Sequence, residues 1–159
     1  MPAPTGERIP PSGSGSRDAR TTGGSDRRAR VLVLADTTVL IDYLRNAPSA
    51  ERLESLLVRG DVVCTTAINV EEIVRGLRSA DQPVATRLVA GLVIVPLGAR
   101  EGWQAGAWRS HFGARGTTLS QADCLIAAAA VRVGARLATG NPKDFPMPEL
   151  EVEVWPPGE

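Results

Sequence analysis

The run Val31-Leu32-Val33-Leu34-Ala35 stops at Asp36-Thr37-Thr38, and a second apolar stretch, Val39-Leu40-Ile41, follows at once. A buried strand that ends in a carboxylate places that charge at the mouth of a parallel sheet, where α/β folds keep their ligand sites. Short apolar strands and helix-period segments alternate through the rest of the chain. Strands are expected at Val31–Ala35, Asp61–Thr65, Leu92–Val95, Arg136–Thr139 and Val152–Trp155. Helices are expected at Ile41–Arg45, Ala50–Arg59, Ile68–Arg78, Val84–Ala90, Ala99–Phe112 and Ser120–Val133, the last closed by Gly134 as a C-cap. Apolar periodicity sets Leu53, Leu56 and Leu57 inward on the second helix and Ile73, Val74 and Leu77 inward on the third. Strands separated by helices imply βαβ crossovers, hence a three-layer α/β/α domain around a mostly parallel central sheet.

The first thirty residues break this pattern. They are dense in Pro, Gly, Ser and Thr and carry six arginines against three acids, a net charge of +3. Such a segment cannot bury enough apolar surface to offset its ordering entropy, so 1–30 reads as a disordered basic arm or the product of an upstream start codon. Residues 31–159 form the domain and hold 12 basic against 15 acidic residues, a net −3. At 159 residues one core is expected, not two. The overall charge is zero and 17 of the 18 cations are Arg, so a wholesale electrostatic grip on nucleic acid is not indicated.

Cys64 and Cys124 sit among apolar neighbours and read as buried thiols of a reducing compartment, neither a disulfide nor a metal knuckle. A lone His111 cannot build a His-rich zinc site, and beside Phe112 it reads as a surface histidine near a helix end. Trp103, Trp108 and Trp155 read as core or dimer-interface residues. The longest apolar run, Cys124 to Val131, is too short for a membrane-spanning helix, and no apolar core follows the N-terminal arginines as in a secretory signal. A cytoplasmic protein without a membrane partner is expected.

Four acids recur at the ends of predicted elements, and each has an ordinary explanation. Asp36 could cap the next helix. Glu72 could pair with Arg75 at i+3, although Gly76 one turn on suggests close approach of that helix face to something. Ser120 and Asp123 have the spacing of a capping box, with Ala127 and Ala130 forming an all-small face behind. Asn141-Pro142-Lys143-Asp144 could be only a turn. Asp42 and Glu71 are expected to face solvent. What these explanations leave open is why four carboxylates recur at the same kind of place, where mutual repulsion calls for a cation.

Leu34-Ala35-Asp36-Thr37-Thr38-Val39-Leu40-Ile41, Glu72-Ile73-Val74-Arg75-Gly76-Leu77, Asp123-Cys124-Leu125-Ile126-Ala127-Ala128-Ala129-Ala130 and Thr139-Gly140-Asn141-Pro142-Lys143-Asp144-Phe145 resemble the four ordered motifs of PIN domains. The likeness is greatest to bacterial VapC-type ribonuclease toxins and covers essentially all of 31–155. The resemblance implies a Mg²⁺- or Mn²⁺-dependent endoribonuclease in which one or two ions activate water against a phosphodiester. By position Asp36 and Asp123 would be the principal ligands, Glu72 a third acid and Asp144 the fourth, with Asn141, Thr37 and Ser120 supporting them. It also implies a small antitoxin partner that covers the site, and a homodimer. Arg75, Arg109, Arg115 and Lys143 lie near the motifs and are candidates for RNA phosphates. Aromatic residues make up 4% of the chain, so stacking platforms are scarce and selection of a structured RNA by shape, such as a transfer RNA loop, is expected.

Two other readings stay open. A haloacid-dehalogenase-type phosphatase also sets Asp after its first strand, but needs a second Asp two positions on, where this chain has Thr38. A non-catalytic module of the same fold could use the carboxylates to receive an arginine from a partner.

Overall fold

The structure, a computed structural model, describes residues 29–158. Most of the expected basic arm over 1–30 therefore lies outside the described residues. Five strands form one parallel sheet: β1 (Leu32–Ala35), β2 (Val62–Thr66), β3 (Val93–Val95), β4 (Arg136–Thr139) and β5 (Val152–Val154), in the spatial order β3-β2-β1-β4-β5. Among the described residues six α-helices cover it: α1 (Thr37–Leu44), α2 (Pro48–Val58), α3 (Ala67–Gly76), α4 (Gln82–Ala90), α5 (Ala99–Gly113) and α6 (Gln121–Val133).

The side-chain alternation of β1 separates two cores. Val33 and Ala35 pack with Val39, Leu40, Leu53, Ile73 and Leu88 in the layer built from α1 to α4. Leu34 turns the other way, onto Ala105 and Trp108 of α5 and the buried alanines of α6. The small Ala127, Ala129 and Ala130 are wholly buried, so α6 lies close against the sheet. Gly134 takes φ +67°, the left-handed C-cap expected of it.

From β1 the chain steps outward through β2 to β3, then returns by α5 and α6 to β4 on the other side of β1. Strand order thus reverses between β1 and β4. In register, Ala35 lies beside Ala138, and the Asp36 N–H donates to Ala138 O at 2.9 Å, carrying the pairing one residue past the strand. A crevice outside the strand ends at such a reversal is the usual ligand site of open α/β sheets.

Several expectations are corrected. The first helix begins at Thr37, not Ile41: Asp36 O accepts from Val39 N and Leu40 N, and burial of Val39 and Leu40 outweighs the poor helix propensity of Thr-Thr-Val. The second starts earlier too, with Pro48 preset for a first turn. Leu57 and Val74 are exposed rather than inward. Of the three tryptophans expected in the core or at a dimer interface, Trp108 and Trp155 are core and Trp103 is 82% exposed. Asp42 is buried, not solvated, accepting from Ser49 Oγ at 3.3 Å and Gly158 N at 3.2 Å. Gly76 is the last residue of α3 and a Cβ there would meet nothing within 4 Å, so no close approach explains it. Both cysteines are free and buried. Among the described residues no helix is long and apolar enough to cross a membrane.

Candidate active site

Asp36 follows β1 and is only 5% exposed, yet its side chain caps nothing in α1. Its carboxylate faces the crevice and is held there by neutral donors. Thr139 Oγ1 at the end of β4 donates to Oδ2 at 2.8 Å, Thr38 Oγ1 donates to the same oxygen at 3.1 Å, and Asn69 Nδ2 of α3 donates to Oδ1 at 3.3 Å. Thr38 Oγ1 also accepts from Gly140 N at 2.9 Å, and Thr139 Oγ1 from Asn141 N at 3.0 Å, so the loop after β4 is tied to the start of α1. A Cβ on Gly140 would come within 3.2 Å of Trp155 O, which is why the chain passes there as glycine.

The other three acids rest on donors of their own. Glu72, half-buried on α3, accepts from Thr37 Oγ1 in a short hydrogen bond. It is not the partner of Arg75, which pairs with Glu71 instead at 3.6 Å. Asp123 lies in the first turn of α6, where Ser120 Oγ accepts from its N–H at 2.9 Å and donates to its carboxylate. The N-cap explanation is therefore correct for Ser120, and Ser120 also holds the functional candidate. Asp144 ends a short 3₁₀ turn, Pro142–Asp144, and accepts from Asn141 Nδ2.

The four acids meet electrostatically. The Asp123 carboxyl titrates above the ordinary range: burial is the largest cause, the Ser120 hydroxyl opposes it, and the negative charges of Asp144, Asp36 and Glu72 add to it. Among the described residues no ion pair reaches any of the four. All the donors an ion would find here are oxygens, which suits a hard divalent cation. Among the described residues no three His, Cys, Asp or Glu side chains are gathered tightly enough to hold an ion alone. An all-oxygen donor set fits an ion that takes one or two carboxylates and keeps its waters, as Mg²⁺ does.

The candidate phosphate contacts have local partners or face solvent. Arg109 Nε donates to Leu119 O at 3.2 Å, bracing the segment that leads into α6. Arg115 donates to His111 O at 3.0 Å and lies beside the His111 ring, an exposed local contact. Lys143 is exposed next to Asp144. Sequence reasoning missed Asn69, Thr38 and Thr139, which hold Asp36. A signal existed for Asn69: Thr66 and Asn69 have the spacing of a capping box directly after a strand, and the structure forms that box.

The PIN domain family model matches residues 33–146. The chain is 32% identical over 124 residues to Ribonuclease VapC19 of Mycobacterium tuberculosis, an alignment covering 74% of this chain and 96% of that protein. In three dimensions it is similar to a VapBC2 complex from Rickettsia felis bound to promoter DNA, with TM-score 0.69 and 22% identity over 79% of this chain and 99% of the other. It is also similar to a toxin–antitoxin complex from Klebsiella pneumoniae, with TM-score 0.61 and 25% identity over 77% and 96% of the two chains.

Proposed function

This chain belongs to the PIN-domain family, and we propose that it is a Mg²⁺- or Mn²⁺-dependent endoribonuclease, the toxin of a toxin–antitoxin pair. The observation that carries the reading is the Asp123 carboxyl, pushed up by burial and by the charges of Asp144, Asp36 and Glu72, with no ion pair to any of the four among the described residues. The name of the Mycobacterium relative supports the nuclease activity, and the toxin–antitoxin complexes among the structural neighbours support a protein antitoxin.

The chain's own residues then divide the work. Asp36 and Asp123 project from the start of α1 and the first turn of α6 and would hold the cation between them. Glu72, carried on Thr37, and Asp144, carried on Asn141, would engage it directly or through its waters. One ion, or two, would lower the pKa of a water and stabilise the charge that builds up on the phosphodiester. The hydroxyls of Thr38, Thr139 and Ser120 keep Asp36 and Asp123 aimed at the crevice without adding charge. No Ser, Cys or His nucleophile is required: both cysteines are buried, and His111 is committed to Arg115.

The haloacid-dehalogenase alternative needs an acid two residues after Asp36, where this chain has Thr38, whose hydroxyl donates to Asp36. The substrate is RNA, with a structured target such as a transfer RNA loop following from the shortage of aromatic residues. Arg75, Arg109, Arg115 and Lys143 would meet its phosphates, and the protein would act as a cytoplasmic homodimer.

The test is incubation of the full chain with total RNA in Mg²⁺, in Mn²⁺ and in EDTA, beside Asp123→Asn, with mapping of the cut ends. Discrete cuts that need the cation and vanish in the variant support the reading. Cutting that survives EDTA, or an Asp123→Asn protein as active as the parent, removes it.

A further inference from the structure

Asn69 is wholly buried at the start of α3 and makes five hydrogen bonds, all within the network that leads to the acids. Its Oδ1 accepts from Thr66 N at 3.1 Å and from Thr66 Oγ1 at 2.7 Å, and its own N–H donates to Thr66 Oγ1 at 3.4 Å. Two donors on Oδ1 fix which way round the amide lies, because a flipped amide would set its NH₂ against them. Nδ2 must therefore face the crevice. There it donates to Asp36 Oδ1 at 3.3 Å and to Thr37 Oγ1 at 3.0 Å, and Thr37 passes its own proton to Glu72.

This arrangement leaves Asp36 with little freedom. A carboxylate offers about four acceptor positions. Thr38 and Thr139 fill both on Oδ2, and Asn69 fills one on Oδ1, so one position on Oδ1 remains. Asn69 decides where that position points. It also bridges Asp36 to Glu72 without a charge, so it orders two acids that would otherwise repel.

We propose that Asn69 is the positioning residue of this site, a neutral clamp anchored on Thr66 that aims Asp36 directly, and Glu72 through Thr37, at a divalent cation. The inference rests on the metal-dependent reading above and adds to it a residue that touches neither cation nor substrate. Partners behind a metal ligand commonly govern about 10–100-fold in metal affinity.

The probe is Mn²⁺ alone, titrated by calorimetry into the full chain, with the Mn²⁺ dependence of RNA cleavage measured in parallel. Asn69→Ala is expected to weaken Mn²⁺ binding about 10-fold or more. Its cleavage rate should recover at high Mn²⁺, so that the apparent KM for the ion moves further than kcat. Glu101→Gln is the control: it weakens the buried ion pair with Arg132 and touches no member of the Asn69 network. It should lower Tm while keeping Mn²⁺ affinity within about twofold of the parent. Should Asn69→Ala fail to fold, Thr37→Val interrupts the arm toward Glu72 and is expected to weaken Mn²⁺ binding as well. Unchanged Mn²⁺ affinity in the folded variant, or an equal loss in Glu101→Gln, overturns the proposal. If the parent protein neither binds Mn²⁺ nor cuts RNA, the underlying nuclease reading fails instead, a distinct result.

Discussion

Two carboxylates of the molecule, Glu101 and Asp123, are treated in opposite ways. Glu101, in the first turn of α5, is 1% exposed and meets its counter-charge within the chain, although its Oε1 makes no hydrogen bond. Its Oε2 accepts from Gly98 N at 2.7 Å, and Arg132 of α6 stands 3.2 Å from Oε1. The Gly98 hydrogen bond, ahead of any charge, holds its carboxyl below the ordinary value. At the strand ends Asp123 is held above the ordinary value, surrounded by three acids and met only by a hydroxyl. The first acid completes a fold by joining α5 to α6. Among the described residues no ion pair reaches the second group, and the cation proposed above would supply that charge. A buried acid is a functional candidate when its protein neighbours do not neutralise it.

Neutralising each of the two in turn should break the molecule in different ways. Asp123→Asn is expected to lower Mg²⁺-dependent RNA cleavage by at least about 100-fold, since it removes a ligand rather than a supporting partner. The same change should leave Tm in EDTA equal to the parent's or above it, because it removes charge repulsion. Glu101→Gln should do the reverse: Tm falls, because Arg132 loses its buried counter-charge, and cleavage at a temperature where the variant is folded stays near the parent's. Activity assays paired with thermal melts check both. A fall in Tm for Asp123→Asn as large as that for Glu101→Gln would erase the distinction.

Acid titration sharpens the same contrast without depending on metal. The raised Asp123 pKa means the folded chain holds that proton more tightly than the unfolded one. Its stabilising contribution is complete below the unfolded value of 3.8 and is lost as pH rises through the higher folded value. Glu101 has the opposite sign: its contribution is present above 4.5 and is lost as pH falls through the lower folded value. Urea midpoints in EDTA should therefore show the deficit of Glu101→Gln shrinking below pH 4.5. Any advantage of Asp123→Asn should shrink as acid protonates Asp123 in the parent.

Much of this division could be read from the chain. The ordering of strands and helices follows from period and apolar runs, and Asp36, Asp123 and Asp144 sit where an element begins or ends, while Glu72 lies within α3. Three things were hidden. The start of α1 was misplaced because Thr37-Thr38-Val39 has weak helix propensity, and only burial of Val39 and Leu40 decides it. Asp42 looked solvated because its partners, Ser49 and the distant Gly158, come together only in three dimensions. The side chains that hold Asp36 were hidden for the same reason: Thr139 is 103 residues away and Asn69 33 residues away, and no local period connects them.

Ser120 is where the two treatments of an acid meet, and it yields the smallest effect. As the N-cap of α6 its Oγ accepts from Asp123 N, a structural duty, while its hydroxyl proton goes to the Asp123 carboxylate, a duty to the site. Ser120→Ala removes both at once. Loss of the cap should cost about 1 kcal/mol of stability, read from urea unfolding. Loss of the donor removes the one influence that lowers the Asp123 pKa, leaving burial and the three acids unopposed. The carboxyl should then hold its proton to still higher pH, and the low-pH limb of a cleavage profile in Mg²⁺ should move upward in pH. Ser120→Thr keeps both hydrogen bonds and should restore both readings. Restoration of stability without restoration of the profile would mean that Ser120 serves the helix alone.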